Sequence, residues 1–191
     1  MNIKTRNEIQ LIKEQTGITV NKLIKVEDNE EFKRLWTGSK EYFKQNVGVR
    51  IERDNYLSFV QKGNQMIAKY HKAISIVLHD DSTLRVATGP NKCLEITRVV
   101  VNPVNQSKGY GTLLMDLFLD FLRNQLGYVP QLLLECVGAI NFQGEILRSS
   151  VSEQTAFFRK FGFRVSNRKH YPDYVSMIRK VEEIERLPMA A

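Results

Sequence analysis

Residues 94–127 read LEITRVVVNPVNQSKGYGTLLMDLFLDFLRNQLG. Residues 94–101 are rich in β-branched side chains and contain no Gly or Pro, which predicts a strand. Asn102 and Pro103 stop it. A short polar loop follows at 104–108, then Gly109-Tyr110-Gly111. From there the apolar period becomes helical. Leu113, Leu117 and Phe121 form one row, and Leu114, Phe118 and Leu122 the row beside it. Gly127 stands where a helix C-cap belongs, with Pro130 just beyond. The stretch predicts a strand, a glycine loop and a long amphipathic helix. The first turn of such a helix leaves backbone N–H groups without partners and carries the positive end of the macrodipole. Glycines ahead of it let a phosphate approach the bare backbone. The loop therefore reads either as a cradle for a diphosphate or as a plain glycine-containing turn. It is not a Walker loop, because the Gly-Lys-Ser/Thr ending is missing. Gln106-Ser107-Lys108-Gly109-Tyr110-Gly111 also lacks the glycine spacing of a dinucleotide fingerprint.

Upstream, 20–26 predicts a strand. Asp28 or Asn29 caps a helix with Glu30 and Glu31 in its first turn. Phe32, Leu35, Trp36 and Phe43 give that helix an apolar side, and Gly38 divides it. Asp54 caps a further predicted helix over 54–70, with Leu57, Val60, Ile67 and Tyr70 inward and a break at Gly63. Strands at 74–78 and 83–88 form a hairpin across His79-Asp80-Asp81-Ser82, and Gly89-Pro90-Asn91 turns into the strand at 94. Downstream, 131–137 predicts a central strand covered on both faces. Residues 138–149 are too apolar for a free linker and read as a flap or helical turn near a substrate. Ser150-Val151-Ser152-Glu153 is a capping box for the helix carrying Phe157 and Phe158, which Gly162 ends. Strands at 163–166 and 174–180 flank a basic loop containing His170-Tyr171-Pro172-Asp173. At the start, Thr5 to Glu8 has capping-box spacing for a helix over 5–16 with Ile9, Leu11 and Ile12 on its apolar side. That helix packs on the core, exchanges between subunits or touches the substrate. The expected division is an N-terminal helical extension at 1–22, one domain at 23–181 and a frayed tail at 182–191.

The chain has 191 residues, enough for one domain with a substantial core. Hydrophobic residues make up 42% and charged residues 26%, as in ordinary globular domains. No apolar run reaches membrane-spanning length, so no membrane partner is expected. MNIKTRNEIQ lacks a signal-peptide core, which makes a cytoplasmic location the expectation. Cys93 and Cys136 are expected to be buried reduced thiols rather than a disulfide. The three histidines form no ligand pattern, so no metal site is expected. Net charge is +7 and the pI is about 9.4, which suits an anionic cofactor, an acidic substrate, a nucleic acid or simply a solvated basic surface.

Two motifs in this order resemble the GNAT-type (Gcn5-related) N-acetyltransferases. Gln106, Gly109 and Gly111 fill Gln/Arg-x-x-Gly-x-Gly/Ala. Glu95, Ile96, Val99, Val100, Val101 and Pro103 match the strand before it. Phe157-Phe158-Arg159-Lys160-Phe161-Gly162-Phe163 is near the second motif, Phe-Tyr-x-x-x-Gly-Phe. The resemblance covers about 23–180. It implies an α/β (α+β) fold: a mixed, mostly antiparallel central sheet flanked by helices, here with an extra N-terminal helix. Two parallel strands of that sheet splay apart near the cofactor.

The implied reaction is acetyl transfer from acetyl-CoA (CoA) to a primary amine by direct attack on the thioester. On this reading backbone N–H groups of Val99, Val100 and Val101 serve the oxyanion and the pantetheine arm. Gln106, Ser107, Lys108, Gly109, Tyr110, Gly111 and Thr112 would hold the diphosphate. Glu95 is the first general-base candidate, and alternation places it with Thr97 and Val99 on one strand face. Its plain alternative is a surface glutamate, or one paired with Arg98 or Lys92. Glu135, in a very apolar strand, is the second candidate, as a partly buried carboxylate. Phe158 replaces the family's tyrosine and cannot donate a proton. Ser152, Tyr171, Tyr174 or solvent would protonate the thiolate instead. Val151 or Ser152 occupies the region of the family's cofactor-contacting Asn. Cys136 reads as a buried inert thiol rather than an acyl carrier. The partner is an amine-bearing acceptor, small molecule or protein, and the chain a monomer or homodimer. Two other functions fit the residues. One is a non-catalytic CoA-binding or interaction module, which Phe158 favours. The other is transfer to an RNA-linked amine, which Arg159, Lys160, Arg164, Arg168 and Lys169 favour.

Overall fold

The strand, glycine loop and helix at 94–127 form as their sequence dictates. β5 runs over Leu94–Val100, a 3-10 turn over Pro103–Asn105, and α2 over Tyr110–Leu126. Gly127 closes α2 in the left-handed region, its N–H bonded to the Arg123 carbonyl. The computed structural model describes residues 7, 9–11, 13–14, 19–62, 65–137, 141–142, 145–146, 150–166 and 174–183. The other strands are β1 Val20–Lys25, β2 Val49–Lys62, β3 Gln65–Leu78, β4 Thr83–Thr88, β6 Tyr128–Val129, β7 Leu132–Val137, β8 Asn141–Phe142, β9 Glu145–Ile146, β10 Arg164–Val165, β11 Tyr174–Arg179 and β12 Glu182–Glu183. The other helices are α1 Glu30–Phe43 and α3 Val151–Arg159.

The main sheet runs β1-β3-β4-β5-β7-β11-β10, with β2 along the other edge of β3. The β1–β3 and β5–β7 pairs are parallel and the rest antiparallel. Register aligns Ile74, Val86, Ile96, Leu134 and Met177 in one row across five strands. All five are buried, and Phe32, Leu35, Leu114, Phe118, Phe121, Leu122 and Phe158 of the three helices complete the same core. Each such side chain contributes roughly 1.5–3 kcal/mol by leaving water. The three helices thus cover one face of the sheet, here the inner face. Residues of opposite parity, among them Tyr56, His71, Arg85, Glu95 and Glu135, belong to the outer face.

Asn29 is the N-cap of α1, its side chain accepting from the Phe32 N–H at 2.7 Å. That helix is continuous through Gly38 rather than divided, and the Gln125 side chain lies against the bare glycine backbone. The expected helix over 54–70 is absent. The segment is instead most of a long hairpin, with Tyr56 opposite His71 and Phe59 opposite Ala68. Cross-strand pairing over fourteen register positions outweighs the helical spacing of Leu57, Val60, Ile67 and Tyr70. Among the described residues β7 is helix-covered on one face only: Leu134 is buried while Glu135 is exposed. The Ser150–Glu153 capping box is present in full. Residues 7, 9–11 and 13–14 are helical, but Leu11 is half exposed, so that side chain does not anchor the helix to the core. The expected tail begins too early: Glu182 and Glu183 pair with Val129 and Tyr128, and Glu182 is bound by Arg179 and Arg123. Ile12, Tyr171, Arg168, Lys169 and most of 138–149 lie outside the described residues, although Asn141 pairs with Ile146 and Phe142 with Glu145.

Candidate active site

β5 and β7 pair only from Leu94 to Ile96, opposite Leu132 to Leu134, and then part. Beyond Ile96, β5 keeps β4 as its only strand partner among the described residues. Its edge toward β7 therefore carries backbone N–H and C=O groups free of a ladder, up to Val99 and Val100. Thr97 is an extra residue in the β4–β5 ladder, since Val86 faces Ile96 while Arg85 faces Arg98. This bulge reverses the alternation. Glu95, opposite Ala87, and Arg98, opposite Arg85, share the outer face, while Val99, opposite Leu84, turns inward. The expected common face for Glu95 and Val99 is corrected accordingly.

Glu95 is half-buried. A Cβ placed on Gly89 would come 2.6 Å from Glu95 Cβ and 2.7 Å from its Oε2, so the carboxylate lies over a bare glycine. Burial first, then the Glu135 charge, push Glu95 up to about 7, against an opposing effect of Lys69. Glu135 sits two residues beyond Leu133, the β7 partner of Glu95, on the same outer face. The two carboxylates singled out from the sequence are brought together. Glu135 is exposed, however, not partly buried.

Three side chains on the outer face with Glu95 carried no signal in the sequence. Tyr56 stacks on His71 with centroids 4.7 Å apart. Burial and the Glu95 charge push its phenol up to about 12, so it stays neutral at physiological pH. His71 Nε2 lies 2.8 Å from Ser58 Oγ. Burial holds His71 below its usual range, and the nearby Thr88 backbone opposes this without a hydrogen bond of good geometry. Arg85 lies over the Tyr56 ring, Cζ to centroid 4.4 Å, and donates from Nε to Thr97 Oγ1 at 2.9 Å. All three depend on the β2–β3 hairpin and its register, which the helical expectation for 54–70 concealed.

The glycine loop is pinned to the β3–β4 turn. Asp80 Oδ2 accepts from Asn105 Nδ2 at 2.7 Å and from Ser82 Oγ at 2.8 Å, and the Asp80 carbonyl accepts from Asn102 Nδ2 at 2.8 Å. Ser107 and Gly109 both have positive φ, 62° and 86°. Gly109 is the N-cap of α2, has no side chain to cap it, and no atom stands within 4 Å of a Cβ built there. The N–H groups of Tyr110, Gly111 and Thr112 head the helix, with no acidic residue in the first turn. Lys108 and Gln106 flank them, both exposed. This is an open, positive, donor-lined cradle. A Cβ on Gly111 would come 3.2 Å from the Phe157 ring and 3.5 Å from Val101 Cγ2, so α3 meets the loop through Phe157. Phe158 turns into the core against Phe157 and Phe163. Ser152 is exposed in the first turn of α3. The Tyr174 backbone pairs with Val137, two residues past the Ser176–Glu135 pair. Cys136 is buried, as expected, and burial pushes its thiol up, whereas Cys93 is only half-buried. A recess lined by Arg159, Gly162, Phe163, Arg164 and Val165 lies toward the edge strand β10 and includes none of the loop or Glu95-centred residues.

A splayed parallel pair, a half-buried carboxylate and a glycine cradle at a helix N-terminus define an acyltransferase type of α/β protein. The chain belongs to the Acetyltransferase (GNAT) family, which it matches over residues 27–163. Among solved structures it is similar to a GNAT family acetyltransferase from Elizabethkingia anophelis with acetyl-CoA bound, at 11% identity, 71% of this chain, 99% of that one and a TM-score of 0.44. It is similar to the ribosomal-protein-S18-alanine N-acetyltransferase of Escherichia coli at 18% identity, 63% and 75% coverage and a TM-score of 0.40. A third similar structure is Ard1 of Thermoplasma volcanium, at 18% identity, 59% and 71% coverage and a TM-score of 0.41. No curated protein sequence matches the chain significantly. No helix among the described residues is long and apolar enough to cross a membrane.

Proposed function

We propose that this chain is an acetyl-CoA-dependent N-acetyltransferase acting on a primary amine, with Glu95 as general base. The observation that carries the reading is Glu95 itself: a half-buried carboxylate over Gly89, beside the point where β5 and β7 part. A base of pKa about 7 is matched to deprotonating an ammonium near neutral pH. When bound, acetyl-CoA supplies the activated acetyl group and a thiol leaving group. Residues 106–112 fit its diphosphate, because Gly109 leaves the cradle clear and no acid opposes an anion there. The unpaired edge of β5 through Val99 and Val100, continuing to Val101, would hold an extended chain and polarise a carbonyl laid along it. Glu95 takes the proton from the amine nitrogen directly or through a water. The neutral Tyr56 phenol and the exposed Ser152 are candidate proton donors in place of the family's tyrosine, and Tyr174 keeps that role as a proposal.

Thiol release from acetyl-CoA with a panel of amines tests the reading. Glu95→Gln is expected to lower kcat by roughly 10²–10⁴-fold while CoA affinity holds. A folded Glu95→Gln protein with unchanged turnover would remove Glu95 from the role.

A further inference from the structure

The outer face holds a cation that proton transfer does not use. Arg85 stands two residues from Ala87, the cross-strand partner of Glu95. Its Nε edge is committed to Thr97 and its plane to Tyr56. Asp54 is near enough to favour its charge, but among the described residues no carboxylate forms an ion pair with it. Its two Nη atoms are not sealed inside the protein. The residue directly opposite across the ladder is a second cation, Arg98, which is exposed. Like charges facing each other on one side of a sheet destabilise the pair. Burial, and then the Arg98 charge, hold the Arg85 guanidinium below its usual range. A bound anion would relieve both effects.

Two residues of strand separate Arg85 from the Glu95 row by about 7 Å. Both charges act on the Tyr56 phenol, and Arg85 lies over its ring. We infer that the acceptor is an amine carrying a carboxylate a few bonds from its nitrogen, an amino acid in the general sense. The inference rests on the N-acetyltransferase reading above. The amine meets Glu95, and the carboxylate takes the Nη edge of Arg85, which no carboxylate occupies among the described residues and where two parallel N–H donors match two carboxylate oxygens. A phosphate in that place would bring two charges toward Glu95 and Glu135 on the same face, so one negative charge suits the site better. Arg98 adds a weaker attraction from the exposed rim.

The test uses the full chain, acetyl-CoA and matched pairs of acceptors: amino acids and the amines left when each loses its carboxylate. The readout is kcat/KM for each acid relative to its own amine. The intact protein is expected to prefer the acids. In Arg85→Gln that preference is expected to fall roughly 10- to 100-fold, the worth of a charge-assisted contact. Arg85→Lys, which keeps the charge without the fork, is expected to recover part of it, and Arg98→Gln to lose less. Equal losses on acids and amines in Arg85→Gln would mark Arg85 as a support for Tyr56 alone and overturn the inference. An intact protein that acetylates the amines as well as the acids also overturns it and leaves the N-acetyltransferase reading standing. Transfer to neither set overturns both. Should Arg85→Gln not fold, the acid-over-amine preference of the intact chain and of Arg85→Lys decides by the same criteria.

Discussion

Glu95 depends on a glycine on its own turn and on a second carboxylate two strand steps away. Gly89 leaves room for its side chain, and Glu135 adds a charge that resists its ionisation. A general base works only as the carboxylate, so kcat/KM is expected to rise as pH climbs through about 7 and to be lost below it. Removing the Glu135 charge makes ionisation of Glu95 easier. Glu135→Gln should therefore move the acid limb of the pH–rate profile to lower pH. The limb should stay above the ordinary carboxylate range, because burial, the larger cause, remains. Profiles of both proteins with one amine check this, and an unmoved limb would uncouple Glu135 from the base. Both glutamates were legible in the sequence, Glu95 within a motif and Glu135 as a charge in an apolar strand. Tyr56 and Arg85 were not. A strand side chain takes its meaning from its cross-strand neighbours, and no local pattern carries register. The bulge at Thr97, and with it the true face of Val99, is illegible in the sequence for the same reason.

At the scale of elements, the segments read well are those whose signals are local. The N-cap at Asn29, the capping box at Ser150 and Glu153, the Gly127 cap and the 74–88 hairpin all stand as the sequence predicts. The β2–β3 hairpin is concealed in the sequence because residues 55–60 are half-buried throughout. Neither face is clearly apolar, so the alternation that marks a strand is faint. The clamp between the β3–β4 turn and the glycine loop joins two elements that each looked like an ordinary turn. Burial pushes the Asp80 carboxyl up, but hydrogen bonds from Asn105 and Ser82 outweigh it and hold the group below its usual range. Asp80→Ala frees both Asn105 and Ser82 at once. CoA affinity is expected to fall about 3- to 10-fold, from one or two hydrogen bonds that preorganise the loop. The acid limb set by Glu95 should not move. Calorimetry and the pH profile measure the two separately, and an unchanged affinity would mean the loop keeps its shape without the clamp.

Across the whole molecule, three helices cover one face of the sheet, and the proposed general base stands on the other face, beside the splayed edge. The family fold was legible because its motifs fall where strand, loop and helix meet. The glycine loop touches much of that framework. Its clamp reaches the β3–β4 turn, α2 runs from it into the core, and Phe157 of α3 rests against it at Gly111. A ligand seated on the loop should therefore stabilise the chain as a unit. Binding to the folded state alone adds about 2.7 kcal/mol at a hundredfold excess over Kd. For a domain near this size each kcal/mol moves Tm by about 2–4 °C, so CoA at that level should raise Tm by about 5–10 °C. Gly109→Val separates the loop from the fold. A Cβ there meets no atom within 4 Å, but the residue stands where φ is 86° and its side chain fills the cradle. The backbone strain costs about 1–3 kcal/mol, which lowers Tm in the absence of ligand. The decisive quantity is the shift that CoA produces, since strain present with and without ligand cancels from it. That shift is expected to vanish in Gly109→Val and to persist, reduced, in Asp80→Ala. A full CoA-induced shift in folded Gly109→Val would place the cofactor elsewhere on the molecule.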